Sequence, residues 1–332
     1  MSKRILVTGA TGFIGTNLTK RLIDNDYTVS VLCRNIDNAK IKFGDKVIYI
    51  EGDVSDPKSL AGCCEGIDIV YHMAAIMGHD LPGDEAFSKF HSINVDGTKN
   101  IAAEAGKSTV KRFIYVSSTA AIGLVTESLV DESTMCNPWT PYQVSKRESE
   151  LFLLGLIKSQ QFPAVIVRPS MIYGPGFKGD FLTIAKAGRT GFFPKIGLGK
   201  NLSPALYIDD LIEPLVTVGI KEDLKYDLYI ISSEESYALD RVVSIISKSM
   251  GKKVRLVYIP KWCALLGASV IEVICRMFGR KPPVSKRNIK SVVQDRTFSV
   301  KRAKEDLDYI QEVSIEEGLT NTIQYFKEQK YL

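Results

Sequence analysis

The chain has 332 residues, 45% hydrophobic and 24% charged, a balance that suits a folded protein with a sizeable core and excludes a disordered one. A net charge of +5 is too small to make nucleic-acid binding a main task, and leaves a mild basic excess for an anionic cofactor or substrate. Six cysteines (33, 63, 64, 136, 263 and 275) form no C-x-x-C pair and no ligand cluster with His72, His79 and His91, so no metal is expected, and reduced thiols in a cytoplasmic protein are.

The first element is a continuous apolar strand, Ile5-Leu6-Val7, of the kind buried on both faces of a parallel sheet. It leaves no room for a signal peptide ahead of it. Gly9, Gly12 and Gly15 follow at three-residue spacing, and residues 17–25 then carry leucine and isoleucine at helical intervals. Strand, glycine turn and helix in that order open a dinucleotide-binding βαβ unit. Gly9 permits the tight turn, Gly12 the approach of a pyrophosphate, and Gly15 close helix–strand packing. The unpaired N–H groups of the helix start would face the phosphates.

Further strands are predicted at 28–32, 47–50, 67–71, 112–116 and 164–167, separated by helical patterns at 60–64, 95–105 and 142–157. This alternation predicts a doubly wound parallel α/β sheet with helices on both faces, and ligands at the carboxyl ends of its strands. After residue 170 the alternation becomes irregular. Glycine and proline mark loops, strands are expected at 206–208, 227–231 and 254–259, and helices at 209–220, 239–250 and 315–327. We therefore divide the chain into a dinucleotide-binding domain, 1–170, and a smaller, mainly substrate-binding lobe, 171–332, whose segments can interleave with the first. Residues 262–278 are apolar but short for a membrane span and contain Glu272 and Arg276. A core or lobe-interface helix is the first reading, and a membrane-interface helix flanked by Lys261, Arg280 and Lys281 the second.

Among fourteen tyrosines only Tyr142 is followed four residues later by a lysine, Lys146, which puts both on one helix face. A phenol titrates near pH 10, and an adjacent ammonium would lower that value towards neutrality. Ser118, at the end of the fifth strand, can bond the same substrate oxygen. Tyr142 would then move a proton while a nicotinamide moves a hydride.

With these motifs in place the chain resembles an extended short-chain dehydrogenase/reductase, the superfamily of nucleotide-sugar epimerases, dihydroflavonol reductases and 3β-hydroxysteroid dehydrogenases. The resemblance runs from Thr8-Gly9-Ala10-Thr11-Gly12-Phe13-Ile14-Gly15 to Glu317-Gly318-Leu319. It implies a Rossmann-type sheet and a catalytic Ser118, Tyr142 and Lys146, with Thr119 as the alternate for Ser118. It also implies cofactor contacts from Thr11, Phe13, Ile14, Asp53, Val54, Ala74, Ala75, Asn94, Ser117, Pro169 and Ser170, besides the glycines, Tyr142 and Lys146. Homodimerisation through the helices at 95–105 and 142–157 is a further implication.

The second strand ends in Cys33-Arg34-Asn35 with no carboxylate to hold a ribose 2′-hydroxyl, whereas Arg34 can pair with a 2′-phosphate. NADP is therefore preferred over NAD. Thr119-Ala120-Ala121 lacks the Asp-Glu pair of sugar 4,6-dehydratases. Met171, Phe177, Phe181, Phe192 and Phe193 suit a hydrophobic alcohol or ketone, with Thr119, Met171, Phe177 and Phe193 as substrate candidates. Lys195, Lys200 and Arg296 could instead clasp a sugar diphosphate. An oxidoreductase of a hydroxyl/ketone pair is the first expectation. A nucleotide-sugar epimerase with tightly held cofactor is the second, and a non-catalytic NADP-binding regulator the third.

Overall fold

The computed structural model describes residues 2–77, 83–197, 202–278 and 297–332. Its centre is a parallel seven-stranded sheet built from β1 (Arg4–Thr8), β2 (Thr28–Cys33), β3 (Ile48–Glu51), β4 (Ile69–His72), β5 (Arg112–Val116), β6 (Ala164–Pro169) and β11 (Leu228–Ile231), in spatial order β11-β6-β5-β4-β1-β2-β3. Order reverses at β1, between β4 and β2, and that switch point is where the glycine turn leaves the sheet.

Both faces are covered, as continuous apolar strands require. Ile5 and Val7 of β1 point into one core, with Leu18 and Leu22 of α1 (Phe13–Asp24) and Leu211, Leu215 and Val218 of α7 (Ile208–Ile220). Leu6 points the other way, into a second core with Ile101, Ala102 and Ala105 of α4 (Gly97–Gly106) and Leu153 of α5 (Pro141–Gln160).

The sequence boundary at 170 is not a boundary in the sheet. The strand expected at 227–231 is β11, which pairs in parallel with β6 from Leu228↔Ile166 to Ile231↔Pro169. The interleaving extends to α7, where the Leu215 carbonyl accepts from the buried Tyr71 hydroxyl of β4. Small pairs complete the second half: β7 (Ile172–Tyr173) with β10 (Leu206–Tyr207), β9 (Leu202–Pro204) with β12 (Ser236–Ala238), and β8 (Phe192–Ile196) with β13 (Arg255–Ile259).

Two expectations are corrected. The helix predicted at 60–64 is a 3-10 turn at Pro57–Leu60 capped by Asp56, because Gly62 and Gly66, both at positive φ, stop helical propagation. The apolar segment at 262–278 forms α9 (Lys261–Met277), but not as a core helix. Trp262, Leu266, Val270, Val273 and Met277 are all more than half exposed, and among its described side chains only Ala268 is buried. Among the described residues no helix is long and apolar enough to cross a membrane.

Candidate active site

The glycine turn has the shape its spacing predicts. Gly9 has φ +70°, and a Cβ there would sit 2.7 Å from the backbone of Met73 and Ala74, where the loop after β4 crosses the turn. A Cβ on Gly15 would run into the Gly9 carbonyl. Gly12 caps α1 without a side chain, no acidic residue lies in the first turn, and Thr11 and Gly12 are exposed. The free N–H groups and partial positive charge at this helix start suit an anion. At the end of β2, Arg34 is exposed and its guanidinium lies 3.9 Å from Asp53. Partial burial pushes the Asp53 carboxyl up, but bonds from the Ser55 N–H and hydroxyl, together with Arg34, outweigh it and hold the group below the usual carboxylate range. Val54 is buried beside Gly97, its carbonyl accepting from Asn100.

A buried relay that the sequence did not flag locks the ends of β1 and β4. Thr8 Oγ1 accepts from the Met73 and Ala74 N–H groups, so its own proton goes to His72 Nδ1 at 2.8 Å. His72 Nε2 then donates to Thr98, whose hydroxyl donates to the Asn94 carbonyl. Burial, aided by the Lys146 charge, drives the imidazole down to about 3, so His72 is neutral and structural. The Asn94 amide is engaged as well. It bonds the Ile76 N–H and carbonyl and the Ser145 hydroxyl, tying the loop that bears Ala74 and Ala75 to α5. Asn94 lies in a π-helical turn, His91–Asp96, that turns its side chain out of the regular helical row.

The catalytic candidates converge at the end of β5. A capping box opens α5: Thr140 Oγ1 accepts from the Gln143 N–H while Gln143 Oε1 accepts from the Thr140 N–H, with Pro141 in the first turn. Tyr142 therefore stands in the first turn, with the Ser118 hydroxyl near enough to its phenol to lower it. Ser118 caps the 3-10 turn Thr119–Ile122 through the Ala120 N–H, which fixes its own hydroxyl and sets Thr119 beside it. Lys146 is buried, donates to the Val116 carbonyl at 2.9 Å and lies over the Tyr115 ring.

The electrostatics depart from expectation. Burial pushes the Tyr142 phenol up to about 12, with the neighbouring Ser118 hydroxyl opposing it. Lys146 in turn is lowered to about 8 by burial, with Glu150 one helical turn away pulling it back up. Glu150 is fully buried, receives two bonds from Arg168 at 2.8 and 2.6 Å, and also accepts from Arg147 and Ser117. Ser117 is thereby turned from the crevice, which leaves Ser118 as the serine facing Tyr142.

Beyond β6, Pro169 ends the strand and the buried Ser170 hydroxyl finds no partner among the described residues. The loop at 174–177 folds back so that Phe177 stacks on Phe13 at 4.9 Å, joining a substrate candidate to the glycine turn. Met171 packs on the first core beside β10. Phe193 instead faces Leu256 in the β8–β13 pair. Lys195 is engaged by Asp240 at 2.6 Å, and Lys200, Arg296, Arg280, Lys281 and His79 lie outside the described residues. A glycine cradle that Cβ atoms would fill, an open helix start and an orphaned buried hydroxyl together fit a dinucleotide. Among the described residues no cluster of His, Cys, Asp or Glu could hold a metal ion.

Comparison with known proteins agrees with this geometry. Residues 5–231 match the family model for the NAD dependent epimerase/dehydratase family. The chain is 28% identical to the UDP-glucose 4-epimerase of Vibrio cholerae over 98% of its length and 96% of the relative's. It is 26% identical to a 3-beta-hydroxysteroid dehydrogenase of Mycolicibacterium neoaurum, over 97% and 91%. The solved UDP-glucose 4-epimerase of Thermotoga maritima superposes with a TM-score of 0.79 at 22% identity, covering 98% of this chain and 99% of that one. The chain belongs to the NAD-dependent epimerase/dehydratase family and is an enzyme of the oxidoreductase type.

Proposed function

We propose that Tyr142 is the proton-transferring group, Ser118 its partner on the substrate oxygen, and Lys146 the buried charge that moderates both, in hydride transfer at a hydroxyl/ketone carbon. The Ser118 hydroxyl beside the Tyr142 phenol, with a buried lysine one helical turn away, carries this reading. A bound dinucleotide would accept or return the hydride at nicotinamide C4 and, when oxidised, add a positive charge to the site. With its phenol near 12, Tyr142 holds its proton at neutral pH and stands ready to donate it to a carbonyl oxygen. Removing that proton near pH 7 asks for about 7 kcal/mol of added stabilisation. Tyr142→Phe should lower kcat/KM by roughly 10²–10⁴-fold while dinucleotide binding is retained. Undiminished turnover in that variant would refute the assignment.

The cofactor end favours NADP, since β2 ends without a carboxylate and the exposed Arg34, 3.9 Å from Asp53, can turn to a 2′-phosphate. A charge-assisted bond of about 1.5–3 kcal/mol corresponds to roughly ten- to hundredfold in affinity. Arg34→Asp should therefore reverse the NADP:NAD ratio measured by titration, and an unchanged ratio would exclude the assignment.

A second reading, 4-epimerisation of a sugar carried on a diphosphate, is favoured by the curated relatives matched along almost their whole length. An epimerase would retain its cofactor through turnover, whereas a reductase of a diffusible ketone would consume it stoichiometrically. In either case residues 171–332, apart from β11 and α7, form the lobe that selects the substrate. A cytoplasmic setting agrees with six free cysteines. We also infer a homodimer through α4 and α5.

A further inference from the structure

A helix on the surface of a water-soluble domain normally turns its apolar stripe inward and its charges outward. In α9 the arrangement is inverted. Trp262, Leu266, Val270, Val273, Ile274 and Met277 recur at helical spacing along one side and are 47–78% exposed. The opposite side carries the buried Ala268 and the half-buried Glu272. At seventeen residues the helix is about 25 Å long, so the stripe is continuous over its length. The strand that leads into it, β13, adds exposed Val257 and Tyr258.

The surroundings of the stripe are basic. Lys252, Lys253, Arg255 and Lys261 are exposed on the approach to the helix, and none of the four forms an ion pair with a described residue. The sequence that follows, 279–296, has six lysines and arginines against one aspartate. A positive margin of this kind repels a second copy of itself and complements anionic headgroups. An apolar stripe with tryptophan at one end and a basic margin is the pattern of a helix lying in the plane of a membrane interface.

We propose that α9 docks this enzyme on an anionic lipid surface, with the Trp262–Met277 side entering the headgroup boundary and the basic approach holding the phosphates. The lobe that carries α9 is the one assigned to substrate selection, so docking would place the crevice beside the membrane. The docking itself does not depend on the roles of Tyr142 or Arg34.

The full-length protein should cosediment with vesicles of phosphatidylcholine containing about a third phosphatidylserine, and at least tenfold less with pure phosphatidylcholine or in 0.5 M salt. Leu266→Gln, Val270→Gln and Val273→Gln together should reduce binding at least tenfold. Because all three side chains are exposed, circular dichroism should not change. As an independent readout, emission from Trp262, isolated by Trp139→Phe, should shift to shorter wavelength with anionic vesicles and be quenched by brominated lipid. No cosedimentation and no shift would overturn the proposal. So would a vesicle-indifferent protein in which the triple variant converts a dimer to a monomer, because the stripe would then be covered by a second copy.

Discussion

Lys146 is an ammonium kept where water cannot solvate it, and its cost can be measured. Its ordinary value of 10.5 falls to about 8 in the folded chain. Between those values the unfolded chain holds a proton that the folded chain has released, so stability rises with pH across that window. Below pH 8 the penalty is fully present, about 3 kcal/mol. Lys146→Met removes it but leaves the Val116 carbonyl without its donor, an offset of about 1 kcal/mol. The variant should therefore be about 2 kcal/mol more stable than the parent in urea at pH 7. That advantage should shrink as the pH is raised towards 10, with activity lost throughout. A variant no more stable at pH 7 would mean that the ammonium is solvated after all. Such a trade is expected where a charge is retained for chemistry and not for folding. From sequence the i,i+4 spacing of Tyr142 and Lys146 was legible, but not which partner the lysine takes, because the Val116 carbonyl belongs to a strand thirty residues away.

Helix α5 shows how an element converts local sequence into site geometry. Thr140, Pro141 and Gln143 fix where the helix begins, and the first turn then carries Tyr142 onto Ser118. Loss of a capping hydroxyl costs about 1 kcal/mol, which in a chain of this size lowers Tm by only about 1–2 °C. Thr140→Ala should thus melt almost normally yet lose kcat several-fold, with dinucleotide affinity unchanged and Thr140→Ser restoring the rate. If kcat and Tm moved only in proportion, the cap would be stabilising the helix without positioning the phenol. The start of α5 was legible from the helical pattern at 142–157, within a residue of Pro141 where the helix begins. The Glu150–Arg168 pair behind it was not, since helix and strand meet only in the folded sheet. For α9 the sequence left two readings open, a core or lobe-interface helix and a membrane-interface one. An apolar helix has the same composition whether its stripe faces a core or solvent, and periodicity alone does not tell the two apart.

At the scale of the whole molecule, the strands of the sheet were legible because each is an uninterrupted apolar run, while their partition into domains was not. Leu228–Ile231 reads as one more strand of the second half, yet its partner is β6, and only long-range pairing assigns it there. The same limit applies to assembly. Phe152, Leu154 and Leu156 of α5 are half-buried against the second core. What remains outside is Leu151 on α5, 52% exposed, and Phe87 of α3 (Gly83–Phe90), 47% exposed. Between α3 and α5 lies a cavity of about 260 Å³ bounded by Phe87, His91, Val144 and Glu148. A shallow apolar face with a recess suits a second copy of the same helices related by a two-fold axis. Sedimentation velocity at micromolar concentration should therefore show a dimer, and Leu151→Glu, which would place two carboxylates across that axis, should shift it to monomer without altering the circular dichroism. A monomer in the unaltered protein would remove both this α3–α5 face and the pairing inferred through α4 and α5. The active-site reading would still stand, because Ser118, Tyr142 and Lys146 all come from one chain.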